Sequence, residues 1–509
     1  MLGEHAQKIQ IHNSAFITST VLKFCICYSL CMQAPTPGDG ALYLRIAKNL
    51  AQQVALGALC PGDRVPSLRQ LSREQHVSIS TASQAYLWLE TRGYLEARPQ
   101  SGFYVRTPFS TLIAEPQFEA GSTKPTAVGT NAVLADLMEA ASDPANVPLG
   151  ASSSSPELFP NRKLNLILQR TVRENPFHST RYDIPPGAEV LRRQIARRSL
   201  NIGYGFAPSD VTVTCGGLEA INLCLRAVAR PSDVIAVESP TYFGILGSIA
   251  SLGMNVIEIP THPQEGMDLD ELERSIRKHR VRACVTMTNS HNPLGYVLGD
   301  SYKKALAEIA ARRNVAIIED DVYGDLAFTG PRPRTVKSFD RKGLVLLCSS
   351  VSKTLSPGYR LGWVVAGRFR AEVERLKLLT TVATGSLPQI VVAEFMESGG
   401  YDRHLKRLRS ILAAQVDGFR QAIAKYFPEE TRISRPAGGC FVWVQLPTRI
   451  NALKLYRAAL AEHISILPGT LFSATGRYKN YIRINCGHSL SEAHDRALLR
   501  LGRLCDNVR

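Results

Sequence analysis

The chain has no Cys-x-x-Cys pair, no His/Cys set at zinc spacing, no internal repeat and no clean apolar run of membrane length. Its 11 cysteines are scattered singly, which argues against a disulfide scaffold and fits the reduced thiols of a cytoplasmic protein. No metal is expected. The nearest thing to a membrane segment, Ala15 to Leu30, holds Cys25 and Cys27 but is short and broken by Lys23. Glu4 and His5 at the start, and the lack of Ala-x-Ala spacing, argue against a secretory signal. No membrane partner is expected.

What is present is enough for more than one core. A chain of 509 residues, 45% hydrophobic, is read as two or three globular domains. With 60 Lys+Arg against 44 Asp+Glu the formal charge is +16, which favours approach to a polyanion without saying which. Met32 stands just before the first patterned helix. Residues 1–39 are therefore read as a tail, those before Met32 being either a disordered extension or an over-extended reading frame.

Apolar residues at Leu42, Ile46, Leu50 and Val54 have the spacing of one helix face, and Gly57 ends the run. Pro61-Gly62-Asp63 reads as a turn. Ser67 is a good N-cap for Leu68 to Gln75, and Ser78 or Ser80 can cap a third helix ending at Gly93. Tyr94 to Arg98, the turn Pro99-Gln100-Ser101-Gly102, and Phe103 to Val105 read as a hairpin. Three helices followed by a hairpin make a winged helix over residues 40–106.

Residues 107–148 are rich in Ala, Pro, Thr, Ser and Gly and read as a linker with a short helix around Val133 to Ala140. From residue 149 to 509, strand-like runs alternate with amphipathic helical ones: Val211–Thr214, Val234–Val237, Ala283–Thr288, Val315–Ile318 and Leu344–Cys348. That alternation predicts an α/β domain with a mainly parallel sheet. From about Tyr401, helices alternate with Cys440–Leu446 and Tyr481–Asn485, predicting a small C-terminal α+β subdomain.

The stretches Pro61 to Ser72, Val77 to Tyr86, Leu89 to Leu95 and Ser101 to Val105 resemble the GntR family of bacterial regulators. The resemblance implies a double-stranded operator as partner, with Arg69, Ser80, Thr81, Gln84, Ser101 and Gly102 as contacts. Many relatives carry an arginine at the start of the reading helix, where this chain has Ile79. Base specificity is not carried over.

In open α/β sheets ligands sit outside the carboxyl ends of the strands. Those ends read Thr214-Cys-Gly-Gly-Leu-Glu, Glu238-Ser-Pro-Thr-Tyr, Asn289-Ser-His-Asn-Pro, Glu319-Asp-Asp-Val-Tyr and Ser350-Val-Ser-Lys. The series resembles the fold-type-I pyridoxal-phosphate (PLP) enzymes of the class I/II aminotransferase group. That chemistry needs a lysine for the Schiff base and a carboxylate to keep the pyridine nitrogen protonated, and Lys353 and Asp320 fit those roles. Asn292 and Tyr323 would bond the ring's phenolic oxygen, and Tyr242 would stack on its face. Arg360, Ser350, Ser352 and the backbone at Gly216 and Gly217 would hold the phosphate. By the same resemblance Tyr182 reaches the phosphate of a neighbouring subunit, implying a homodimer, and Arg483 forks onto an amino acid carboxylate. His291 is read as scaffold.

Both halves together resemble the MocR subfamily of GntR regulators. The implied function is a DNA-binding transcriptional regulator whose aminotransferase-like domain senses PLP or an amino compound and dimerises. The alternative is a working aminotransferase with an attached DNA-binding module.

Overall fold

The computed structural model describes residues 42–55, 58–59, 62–91, 94–98, 101–105, 113–117, 123–129, 136–137, 139–140 and 143–507. The tail with Cys25, Cys27, Cys31 and Met32, and the turn residues Gly57, Pro61, Gly93, Pro99 and Gln100, lie outside these. Contacts divide the chain into two compact units, Met1–Pro108 and Phe109–Arg509.

In the first unit, helices α1 (Leu42–Ala55), α2 (Leu68–Glu74) and α3 (Ile79–Thr91) precede an antiparallel hairpin of β1 (Leu95–Arg98) and β2 (Gly102–Val105). The α1 face is as read at Ile46 and Leu50, which are buried, whereas Leu42 at the helix end is exposed. On α3, Ala82, Ala85, Tyr86 and Leu89 share one face and meet Val65, Leu71, Leu95 and Val105 in a single small core. Each large side chain hidden there contributes about 1.5–3 kcal/mol. Ser67 caps α2, its Oγ accepting from Gln70 N at 3.2 Å. Of the two candidates for α3, Ser78 is the cap, accepting from Thr81 N at 3.1 Å, and Ser80 lies inside the helix.

The second unit is built on a nine-stranded, mostly parallel sheet. Its strands are β3 (Thr126–Ala127), β4 (Val211–Thr214), β5 (Val234–Ser239), β6 (Asn255–His262), β7 (Gly266–Met267), β8 (Ala283–Thr286), β9 (Ala316–Asp320), β10 (Val345–Ser350) and β11 (Gly362–Val365). The order is β3-β6-β5-β8-β9-β10-β11-β4, with β7 beside β6. Strands β6, β5, β8, β9 and β10 run parallel, and β11 is antiparallel to both neighbours. The parallel strands are apolar nearly throughout because helices cover both faces.

Four of these strands, β3, β6, β7 and β11, fall outside the runs read from the sequence. Strand β6 contains Glu258 and Pro260, which blur an apolar run, and β11 is only four residues long. The expected strand Ala283–Thr288 stops at Thr286, because Met287 N turns to the buried Glu238 carboxylate at 3.0 and 3.2 Å. A smaller antiparallel sheet carries β12 (Arg432–Ile433), β13 (Phe441–Gln445), β14 (Leu467–Pro468) and β15 (Tyr481–Asn485) in the order β12-β13-β15-β14.

Several described parts of the segment read as a linker are docked on the second unit. Ala114 O accepts from Ile433 N at 2.8 Å, Gln117 N donates to Gln445 Oε1 at 2.8 Å, and β3 pairs with β6. Leu137 and Ala140 are buried, and residues 136, 137, 139 and 140 are helical within the expected Val133–Ala140 helix. Backbone donors and acceptors on a sheet edge attract such a segment whatever its composition. Among the described residues no helix is long and apolar enough to cross a membrane.

Candidate functional site

The loops that leave the carboxyl ends of β4, β5, β8, β9 and β10 bring the predicted chemistry together, as the topology of an open α/β sheet requires. Asp320 is the last residue of β9 and 3% exposed; its Oδ1 accepts from Val322 N at 3.2 Å. Burial pushes the carboxyl up to about 7, opposed by the Val322 amide and Lys353 and assisted by Asp321. Lys353 follows β10 by three residues, donates from Nζ to Ser152 O at 2.6 Å, and lies 5.9 Å from the centre of the Tyr323 ring. Burial brings its ammonium down to about 8; Cys440 and Asp320 oppose this, while Arg483 and Arg360 push the same way. A lysine that loses its proton near neutral pH is a competent nucleophile toward an aldehyde.

A cradle for an anion lies at the start of the helix Gly217–Val228. Gly216 sits at φ +90° as its N-cap, and a Cβ there would come within 2.5 Å of Arg360 Nη2. A Cβ on Gly217 would meet Val322 Cγ1 at 2.8 Å, so glycine is required at both positions. Arg360 donates to Ser352 Oγ and to Cys215 O, each at 3.4 Å, and Ser350 Oγ accepts from Ser352 N at 3.3 Å. Among the described residues the hydrogen-bond partners of Arg360 are the Ser352 hydroxyl and the carbonyls of Cys215 and Pro357, none of them a carboxylate. Free helix-start amides, a guanidinium and two hydroxyls suit a phosphate.

Arg483 lies mid-strand in β15, opposite Trp443 of β13 and Leu467 of β14, and is fully buried. Its Nη2 donates to Gly150 O at 2.9 Å and Ala151 O at 2.8 Å, its Nη1 reaches Asn292 Oδ1 at 3.5 Å, and its Nε has no partner. The guanidinium lies 4.1 Å from the centre of the Phe441 ring. Burial pulls its pKa down, since carbonyls and ring faces compensate a buried cation only partly. An anion of the substrate kind would complete it.

Asn292 and Tyr323 are buried beside these groups, and Tyr242 is the N-cap of the helix Phe243–Ser251. Burial raises both phenols, with the Arg483 charge opposing the rise and Asp320 adding to it. Ser290 Oγ and Thr241 Oγ1, on the neighbouring loops, are buried without a hydrogen-bond partner. A cradle that glycine keeps open, a depressed lysine and a buried guanidinium with an orphaned Nε are what a ring bearing an aldehyde and a phosphate needs. The residues present fit PLP.

The exception to the convergence is Tyr182, which is 77% exposed on its own chain. His291 is buried away from solvent: its ring stacks on Tyr296 at 4.6 Å and its Nε2 lies 3.3 Å from Glu238 Oε2. Burial would raise Glu238, yet His291, Thr286 and Tyr296 hold it below the ordinary carboxylate value. The sequence reading missed the carbonyls of Gly150, Ala151 and Ser152 and the Cys440 thiol. A backbone carbonyl leaves no mark on residue type, and Cys440 is visible only as the start of a strand.

In the first unit, Arg69, Ser80 and Gln84 are exposed, while Thr81, Ser101 and Gly102 are half-buried. Thr81 Oγ1 and Ser80 Oγ both engage Ser78 Oγ, at 2.8 and 2.7 Å. Ser101 Oγ meets the Tyr104 hydroxyl at 2.6 Å, and Gly102, at φ +107°, supplies the backbone turn of the wing.

Comparison with known proteins adds two family matches. Residues 168–500 match the family described as Aminotransferase class I and II, and residues 42–105 match Bacterial regulatory proteins, gntR family. The chain is 38% identical over 91% of its length, and 98% of the relative, to the uncharacterized HTH-type transcriptional regulator YdcR of Escherichia coli strain K12. It is 37% identical to the regulator YjiR of the same organism, over 90% of this chain and 98% of that one. Among solved structures it resembles the multiple substrate aminotransferase of Thermococcus profundus, with a TM-score of 0.69 and 26% identity over 74% of this chain and 96% of that one. The α-aminoadipate aminotransferase LysN of Thermus thermophilus, solved with N-(5'-phosphopyridoxyl)-L-leucine, matches equally: TM-score 0.69, 26% identity, 75% of this chain and 96% of that one.

Proposed function

The chain belongs to the aminotransferase class I and II family and carries a gntR-family reader ahead of it, and from that premise we propose a cytoplasmic, PLP-binding transcriptional regulator that senses an amino compound and acts as a homodimer. The observation that carries the sensing role is Arg483: a fully buried guanidinium with carbonyl partners and an orphaned Nε is a receptor for a carboxylate. The ligand seen in LysN, a phosphopyridoxyl group joined to leucine, is of the chemistry this site suits.

In this reading residues 40–106 bind DNA, residues 107–148 connect, and residues 149–509 hold the cofactor. Lys353 holds the cofactor covalently and Asp320 pairs with its ring nitrogen. Asn292 and Tyr323 bond its phenolic oxygen, Tyr242 covers its face, and Gly216, Gly217, Ser350, Ser352 and Arg360 hold its phosphate. When bound, PLP supplies an aldehyde for amines and an electron-accepting ring. Asp320 keeps a negative charge beside that ring, Lys353 takes and gives up a proton at Nζ, and Arg483 orients the incoming amino acid.

The dimer reading is supported by exposed apolar side chains on the second unit, among them Phe177, Tyr182 and Ile184. Ser386 Oγ donates to Arg181 O at 3.3 Å, and Cys215 Sγ lies 3.6 Å from Thr384 Oγ1, so the segment carrying Tyr182 adjoins the rim of the cradle. A second copy seated there by two-fold symmetry covers the apolar face and offers its Tyr182 to the cradle.

The test is to titrate the full-length protein with an operator duplex, with and without PLP and single amino acids. An effector should change operator affinity by about 5- to 150-fold, and the operator should change effector affinity by the same factor. The residues assigned here to the cofactor are also of the types transamination uses, so the same assay measures keto acid. Turnover with unchanged operator affinity overturns the sensor in favour of an aminotransferase with an attached DNA-binding module.

A further inference from the structure

Helix α3 has two faces of opposite character. Ala82, Ala85, Tyr86 and Leu89 form the core, while Ser80, Ser83, Gln84 and Leu87 are exposed. Its first residue, Ile79, is 54% exposed, an apolar side chain left in water at the end of the helix that a winged helix presents to DNA. From Ile79 to Trp88 the helix holds no Lys, Arg, Asp or Glu; the first charge is Glu90. The hydroxyls of Ser78, Ser80 and Thr81 bond one another at the helix start, at 2.7 and 2.8 Å.

These facts restrict what α3 can read. In the major groove, guanine is recognised by the fork of an arginine or by a lysine, adenine by the amide of Gln or Asn, and thymine by apolar contact with its C5-methyl group. Within those ten residues there is no cation for guanine. Gln84 is suited to adenine, and Ile79 has one complementary feature in the groove, the thymine methyl.

We propose that Ile79 is a specificity-determining residue that reads a thymine through its C5-methyl group, so that each half-site carries an A·T pair under the start of α3. This rests on the DNA-binding function proposed above and adds to it the base class and the group recognised. Packing one methyl against an alkyl side chain is worth about fourfold in affinity, hence about fifteenfold for two half-sites acting independently.

The experiment uses the full-length protein and the duplex that dominates an in vitro selection from random DNA. Binding is measured by fluorescence anisotropy to that duplex and to a copy in which deoxyuridine replaces thymine in both half-sites, which removes only the methyl groups. The expected result is about fifteenfold weaker binding to the uracil copy, falling to within twofold for Ile79→Ala. Because Ile79 is exposed at a helix end, that variant folds, and its retained binding to the uracil duplex demonstrates it. Ile79→Val should keep most of the discrimination.

Selected half-sites without thymine, equal wild-type affinity for the two duplexes, or a preference undiminished in Ile79→Ala would each overturn the assignment while leaving DNA binding intact. Failure of the wild-type protein to bind any duplex at low salt would overturn the DNA-binding function itself, and this assignment with it.

Discussion

Replacing Asp320 with asparagine should stabilise the cofactor-free protein at pH 8 while weakening its hold on PLP. Asp320 is 3% exposed, and burial lifts its carboxyl from 3.8 to about 7. An acid whose folded pKa is raised keeps a proton that the unfolded chain releases. Its contribution to stability is therefore intact below about pH 4 and is lost as the pH climbs through about 7. A shift of roughly three units at about 1.4 kcal/mol each sets an upper bound of about 4 kcal/mol above that window. Asparagine is neutral, nearly isosteric, and keeps the oxygen that accepts from Val322 N. Urea unfolding of the apo forms should favour the Asn variant by up to about 4 kcal/mol at pH 8, shrinking to about 1 kcal/mol or less at pH 4.5. Glu319, also raised to about 7 by burial and then by Asp321, is common to both proteins and cancels in the difference. Adding PLP should reverse the order, because a protonated ring nitrogen gives only the wild-type carboxylate a partner. A difference that does not vary with pH, or an apo variant less stable at pH 8, would refute the argument.

Three further outcomes follow from the same geometry. Lys353→Ala should fold but lose the borohydride-trapped adduct and the yellow colour, and uptake of PLP by the wild-type apo protein should speed up with pH around a midpoint near 8, not near 10, as stopped-flow absorbance would report. Arg483→Ala should weaken the response to amino acids by at least about tenfold, since a charge-assisted contact is worth about 1.5–3 kcal/mol, while leaving PLP absorbance in place; an unchanged titration curve contradicts the carboxylate assignment. Arg69→Ala should lower affinity for every duplex, reduce the salt slope by about one and leave the PLP spectrum alone, whereas a fragment ending near Arg106 should keep weak salt-sensitive binding but lose preference for paired half-sites.

The sequence by itself determined the succession of a winged helix and an α/β domain and the residue types offered to the site. Residue period and turn residues mark helices and strands locally, and Ser-x-Ser-Lys-x-x-x-Pro-Gly-x-Arg-x-Gly from Ser350 to Gly362 is a local pattern that names its own function. Strands β4 and β15 have the limits read from the sequence, and Lys353, Asp320, Tyr323, Asn292, Tyr242 and Arg360 lie near one another in the second unit.

Tertiary structure alone decided which groups oppose them. Lys353 meets a carbonyl 201 positions away, and Arg483 meets Asn292 across 191. The lysine near 8 and the carboxyl near 7 follow from burial, which no residue type records. Likewise, composition marks residues 107–148 as a linker, but an unpaired edge on β6 and an acceptor on Gln445 dock its described parts. That Ile79 faces water and not the core depends on where α3 lies against Val65 and Leu95, because a hydrophobic side chain has no address until the surface that would bury it is in place.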